Sequence, residues 1–261
     1  MAVEPVRNPT DDVFQEKLSV AWIFEESINF YRDHFIPLLT IFVLANAIFY
    51  GIQYIAEGQA RGVLARGDLT ISQIMENPEL YADDLVPLLF EILLIFILMA
   101  LSLFLVSVLF HSIAIGYTNE ALVGGHPTLM AALSAVLPTF PRVIGATLIS
   151  MIVVSLGLVL LIVPGLVLAM MFVLVPQTVI LEGRGPIDAL SRSNELTSGN
   201  KMTIFLFFLF WAVVLLLFSM ILGPGGGIWA QVIQIAIMAI LGPVMPISTT
   251  IIYQRLLPPE I

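Results

Sequence analysis

The chain has no cysteine, which excludes disulfides, thiolate metal sites and a cysteine nucleophile. Charge is scarce too. Only 11% of residues are Asp, Glu, Lys or Arg, against about 25% in an ordinary soluble domain. So few charges cannot clothe a water-facing surface, so lipid is the expected solvent. Lys and Arg stand singly and form no basic stripe, so nucleic acid is not an expected partner. No Walker, GxSxG or GxGxxG pattern follows a plausible strand. The histidines His34, His111 and His126 show no HxxxH or HExxH spacing, and neither a metal nor a cofactor is expected. The first thirty residues lack the basic and apolar regions of a signal peptide, so the first span is expected to direct insertion.

What the chain has instead is oil: 59% hydrophobic residues and a mean hydropathy of +1.02. A membrane span needs roughly 20 apolar residues. Six runs meet that need: 35–56, 87–116, 143–163, 165–181, 202–222 and 228–254. Spans three and four share one apolar block. Pro164-Gly165 reads as a tight hairpin turn within it, because one helix of that length would overshoot the bilayer. The fifth span ends at GPGGG, 223–227, and Gly242, Pro243 and Pro246 should kink the sixth. Transmembrane strands need about ten residues of alternating polarity, which these runs do not show. The fold class is therefore an all-α, polytopic transmembrane bundle over 18–257. A polar tail precedes it at 1–17, and a short tail follows at 258–261.

Arg7, Lys17, Arg32, Arg142, Arg184, Arg192, Lys201 and Arg255 fall on one side of such a bundle. Only Arg61 and Arg66 fall on the other, in an acidic loop at 57–86. Eight against two places both termini in the cytoplasm of a plasma (inner) membrane protein. A short helix over Leu80–Val86 is a candidate within the loop. Three stretches also look alike: Leu18–Leu39, Pro127–Leu148 and Gly185–Leu206. Each has a short amphipathic segment with a small residue (Ala21, Ala132, Ala189), an elbow, a span and a return span. In the first, Val20, Ile23, Phe24, Ile28 and Tyr31 share a helical spacing. The reading is three repeats of interfacial helix plus hairpin.

The most distinctive stretch is Val163–Lys201. Its Pro164-Gly165 turn, a span ending near Glu182, and then Pro186, Ala189, Leu190, Ser193, Leu196 and Gly199 form a pattern, with Tyr253 and Leu256 near the C-terminus. The pattern resembles the membrane domain of some glycerophosphoryl diester phosphodiesterases and related YciC-type multi-span proteins. One departure is Asn194, where some relatives carry an aromatic residue. The resemblance implies a membrane domain of unassigned role. In the fused relatives the phosphodiesterase activity belongs to a separate barrel of about 250 residues, so that activity is not expected here.

Several polar residues stand out. Arg184, Arg192 and Lys201 are candidates for anionic headgroup or partner contacts. The plainer reading is a salt-bridged interfacial helix with an Asp188–Arg192 pair, in which Ser193 bonds a carbonyl one turn back. Asn46, Glu91, His111, Gln177 and Gln234 are cavity-lining candidates, as is Gln231. Each could equally join helices or, for Glu91, reach headgroup water. The leading function is a non-enzymatic membrane domain that organises lipid or a protein partner. A small-molecule transporter or channel is the alternative, favoured by the broken sixth span. A membrane-embedded hydrolase is third and needs two acids or a Ser–His pair in one pocket. The orientation predicts that a single cysteine placed in the 57–86 loop reacts with an impermeant thiol reagent on intact cells. Reaction only after lysis contradicts it.

Overall fold

The computed structural model describes residues 18–66, 82–221 and 228–258. The polar tail at 1–17, the centre of the acidic loop, the GPGGG segment and residues 259–261 lie outside the described residues. Hydrocarbon offers backbone amides no partner, so a spanning segment must bond its own backbone as a helix. The described residues form eleven α-helices and no strand. Six segments are long and apolar enough to cross a membrane: Phe35–Val63, Val86–Leu122, Phe140–Leu160, Ile162–Glu182, Lys201–Phe218 and Val232–Leu256. The chain is a multi-pass, integral membrane protein.

The helices are α1 (Val20–Asp33), α2 (Phe35–Arg66), α3 (Ala82–Leu122), α4 (Leu129–Val136), α5 (Phe140–Leu160) and α6 (Ile162–Met171). After these come α7 (Val175–Glu182), α8 (Pro186–Thr197), α9 (Lys201–Ile221), α10 (Ile228–Leu241) and α11 (Val244–Leu256). A short helix, a span and a return span follow one another three times. The short helices start where capping chemistry dictates. Ser19 Oγ accepts from the Trp22 amide at 3.2 Å, and Thr128 Oγ1 from the Ala131 amide at 3.1 Å. Pro186 opens α8, where its missing N–H is no loss. Ala132 and Ala189 are buried, but Ala21 is exposed.

Several boundaries differ from the sequence reading. α2 runs on to Arg66, and α3 spans 41 residues, roughly 62 Å at 1.5 Å per residue. Both therefore outreach a hydrocarbon core of about 30 Å. Beyond the oil, α2 is held by side-chain pairs one turn apart. Gln53 Nε2 donates to Glu57 at 3.2 Å, and Arg61 pairs with Glu57 at 3.4 Å. The proposed separate helix at Leu80–Val86 is instead, over residues 82–86, the start of α3.

Pro164-Gly165 is not the hairpin turn. The reversal is made by Leu161 alone, at φ −157° and ψ 132°. Pro164 and Gly165 lie in the first turn of α6, where proline is tolerated. Gly165 is needed because the hairpin closes on it. A Cβ there would sit 2.5 Å from the Leu158 backbone nitrogen, and one on Gly157 would sit 3.0 Å from Gly165 Cα. The fourth span is itself interrupted between α6 and α7.

The core lies toward one end of the bundle. It joins Leu38 and Phe42 near the start of α2, Ile113 and Tyr117 near the end of α3, and Ile204 and Phe207 at the start of α9. Ile247, Ile251, Ile252 and Tyr253 of α11 complete it. α1 lies across α11 through Ile23, Ser27, Phe30 and Tyr31. Ile28 shares the apolar spacing of α1 but is 57% exposed. On the buried side Ser27 Oγ meets Ser248 Oγ at 2.7 Å, which answers two hydroxyls that burial would otherwise leave without a partner. At the other end Tyr54, Ile55, Leu93, Phe96 and Val159 to Ile162 are exposed, as lipid-facing side chains should be. Gly165→Ala is expected to destabilise the protein by about 1–3 kcal/mol, the cost of overpacking. Gly51→Ala, with nothing within 4 Å of its Cβ position, should be neutral or stabilising. Thermal unfolding in detergent reads both.

Candidate functional site

Beyond the packed end, α2, α3 and α10 part and leave a cavity of about 340 Å³. Phe42, Ala45, Asn46, Phe49 and Tyr50 of α2 line it, at the spacing of one helical face. Val106, Ser107, Phe110 and His111 of α3 form the second wall. Gln234 and Met238 of α10 form the third, with Gly242 beyond the helix end. Gly242 is there because the ring of Phe42 occupies the space a side chain would need. A Cβ would lie 2.5 Å from its Cδ1.

Three of the polar residues singled out from the sequence thus meet: Asn46, His111 and Gln234. Asn46 Nδ2 donates to the Phe42 carbonyl at 2.7 Å. His111 Nδ1 lies 2.9 Å from the Ser107 carbonyl. A carbonyl can only accept, so both nitrogens carry the hydrogen. Phe42 sets its ring edge-on to His111, with centroids 5.6 Å apart at 77°. Ser107 shares the wall with His111. Among the described residues no hydrogen bond joins its hydroxyl to the imidazole, and no carboxylate lines the cavity. The other two candidates lie elsewhere. Gln177 is buried in α7 and donates to Thr249 Oγ1 at 2.7 Å. Glu91 is exposed on α3 and does not line the cavity. The side chain of Gln231 lies outside the described residues. The aromatic walls were missed, although Phe42, Phe49 and Tyr50 share a face with Asn46 in the sequence.

A second polar cluster gathers the distinctive residues of the α6–α9 region. Glu182, at the end of α7, accepts from Arg184 Nε, from Arg192 Nε at 3.1 Å and from Tyr253 OH at 3.0 Å. Arg192 also reaches Glu195 at 3.4 Å. The expected Asp188–Arg192 pair does not form, because α8 turns Arg192 toward the end of α7. Burial alone would lower the pKa of Arg192, but its bonds to Glu182 and Glu195 outweigh this and raise it. Lys201 Nζ donates to Asn194 Oδ1 at 3.0 Å. Ser193 does not bond its own helix. It donates to the Met171 carbonyl at 2.7 Å and accepts from the Leu174 amide at 3.1 Å, closing the break between α6 and α7. Ala189 is fully buried, which brings its carbonyl within 3.3 Å of Thr178 Oγ1. Gly199, at φ 84°, makes the left-handed turn into α9 that a side chain would resist. Among the described residues no group of three His, Asp or Glu side chains is placed to hold a metal.

The cluster around Glu182 therefore ties α7, α8 and α11 together. Glu182→Gln should cost about 1–3 kcal/mol by stranding two guanidinium partners, and Tyr253→Phe about 1 kcal/mol. Denaturant or thermal unfolding measures both, and a double mutant with Tyr253→Phe should be non-additive.

The comparisons with known proteins assign no activity. No curated protein and no solved structure matches the chain. Residues 17–254 match the family described as "Uncharacterised protein family (UPF0259)". That match spans every helix described above, from the cap of α1 almost to the end of α11, and the chain belongs to the uncharacterised protein family UPF0259.

Proposed function

We propose that this protein is a non-enzymatic membrane domain that holds a lipid molecule in the cavity between α2, α3 and α10. The observation that carries the reading is an aromatic-walled cavity placed deep within the spans. Asn46 lies 11 residues beyond Phe35, and His111 lies 11 residues before Leu122. Each is therefore roughly 16 Å from the end of its helix, inside a segment apolar enough to cross the membrane. Phe42, Phe49, Tyr50 and Phe110 provide apolar contact, and a few convergent polar groups give orientation, the usual composition of a small-molecule site. The wall carries Ser107 and His111 but no acid to orient the imidazole, which speaks against hydrolysis.

The packed end is the cytoplasmic end in this reading, in a plasma (inner) membrane, with both termini on that side. Arg184, Arg192 and Lys201 lie there. Arg192 has two carboxylate partners and is only 21% exposed. Arg184, 41% exposed with one carboxylate partner, and Lys201, bonded to an uncharged amide, are the better placed to meet headgroup phosphate. The likeness of 163–201 to the membrane domain of glycerophosphoryl diester phosphodiesterases and YciC-type proteins supports a lipid-related role without the phosphodiesterase chemistry. A transporter is the second reading. It is favoured by the break at Gly242 and Pro243, which borders the cavity, since discontinuous helices often line transport sites.

Native mass spectrometry of the detergent-purified protein should find lipid bound, and Ala45→Phe, which fills the cavity, should remove it without lowering the melting temperature. Retention of the same lipid by the variant overturns the proposal. The natural absence of cysteine makes Gln234→Cys a clean probe of transport. Rapid reaction with a hydrophilic thiol reagent in sealed vesicles supports a water-filled path, and protection by lipid supports the holding role.

A further inference from the structure

Building on the lipid-site reading above, we infer that the lipid is neutral and presents a hydroxyl that donates to His111 Nε2 and accepts from an amide beside it. His111 has spent its one hydrogen on the Ser107 carbonyl, and Asn46 one of its two amide hydrogens on the Phe42 carbonyl. What Asn46 has left is its second N–H and its carbonyl oxygen. His111 has Nε2 left. A charged imidazole inside the spans is expensive, and no carboxylate lines the cavity to offset it. The ring is therefore neutral, and with Nδ1 holding the hydrogen its Nε2 can only accept.

An imidazole acceptor among aromatic walls selects against most headgroups. A phosphate, a carboxylate or an ester carbonyl would set an acceptor against His111 Nε2, and no Lys or Arg lines the cavity to offset an anion. An ammonium would be a charge without a counter-ion inside the span. An alcohol donates its one hydrogen bond to Nε2, carries no charge and accepts in turn from the amide of Asn46 or Gln234. Ser107, His111 and Gln234 are exposed on the cavity wall, so the hydrocarbon tail can remain in the bilayer.

The test uses the full chain in phosphatidylcholine nanodiscs with three C16 probes carrying the same mid-chain diazirine: the primary alcohol, its methyl ether and the carboxylic acid. The alcohol should label the cavity-lining peptides of α2 and α3 about fivefold more than the ether, the ratio one neutral hydrogen bond supports. The acid should label no better than the ether. In His111→Phe the preference for alcohol should fall toward unity, while labelling by the ether is unchanged. If the ether or the acid labels the wild type as strongly as the alcohol, the donor assignment is overturned and the lipid site stands. If no probe labels the wild type more than it labels Ala45→Phe, the lipid site itself is overturned. The comparison of probes on the wild type decides the matter even where a variant folds poorly.

Discussion

Hydrocarbon supplies no hydrogen-bond partner, so every departure from regular helix inside the membrane must be answered by the protein itself. At the α5–α6 reversal the backbone answers unaided. The Leu161 amide bonds the Gly157 carbonyl at 2.9 Å, and the Leu161 carbonyl receives the Gly165 amide at 3.2 Å. One extended residue thus turns the chain without losing its own backbone bonds. At the α6–α7 break a side chain from another helix is needed, and Ser193 serves both sides of the gap. At the α10–α11 break Gly242 and Ile247 still donate to Met238 and Pro243, while Pro243 and Pro246 have no amide to satisfy. The α6–α7 break is covered by α8, and the α10–α11 break borders the cavity.

Those breaks explain why the bundle is tight at one end and open beyond it. The interruption between α6 and α7 is bridged by Ser193, and Glu182 at the end of α7 reaches Arg192 and Tyr253. α11 is then held to α1 and α7 by Ser27–Ser248 and Gln177–Thr249. Such bonds average about 0.6 kcal/mol each in a membrane, but they set the angle at which α11 leaves Gly242. Above that point α10 follows a different course from α11, and the space left between α2 and α3 is the cavity. The glycine matters for this geometry more than the prolines do, since Phe42 packs into the place of its missing side chain.

The spans were legible because hydropathy is a property of each segment alone. So was the threefold order of short helix and hairpin, since capping at Ser19 and Thr128 is local. Matters that depend on a second helix were not legible. Ile28 belongs to the apolar stripe of α1 by spacing, but the buried position went to Ser27 because Ser248 lies opposite. Pro164-Gly165 carries a turn signal, but the turn belongs to its neighbour Leu161, because the glycine is used for helix contact. Arg192 has Asp188 one turn away, but α7 delivers Glu182. Asn46, His111 and Gln234 were each visible as rare polar residues. Their convergence was not, since it depends on the relative rotation of three spans far apart in sequence.

The residues that make the sequence distinctive and those that make the cavity are therefore different sets with different physical demands. Glu182, Ser193 and Ala189 satisfy or bury polar groups within the scaffold, and their charges and hydroxyls are consumed there. Asn46 and His111 satisfy only part of their hydrogen-bonding capacity within their own helices. In water that remainder would mean nothing, because solvent would complete it. Inside a bilayer an unanswered acceptor costs free energy in the empty protein, and any molecule that answers it recovers that cost on binding. Tyr31, Thr118, Gln177 and Trp211 also keep an unanswered polar atom, but they are buried in the packed bundle, whereas Asn46 and His111 line a cavity that a ligand can enter.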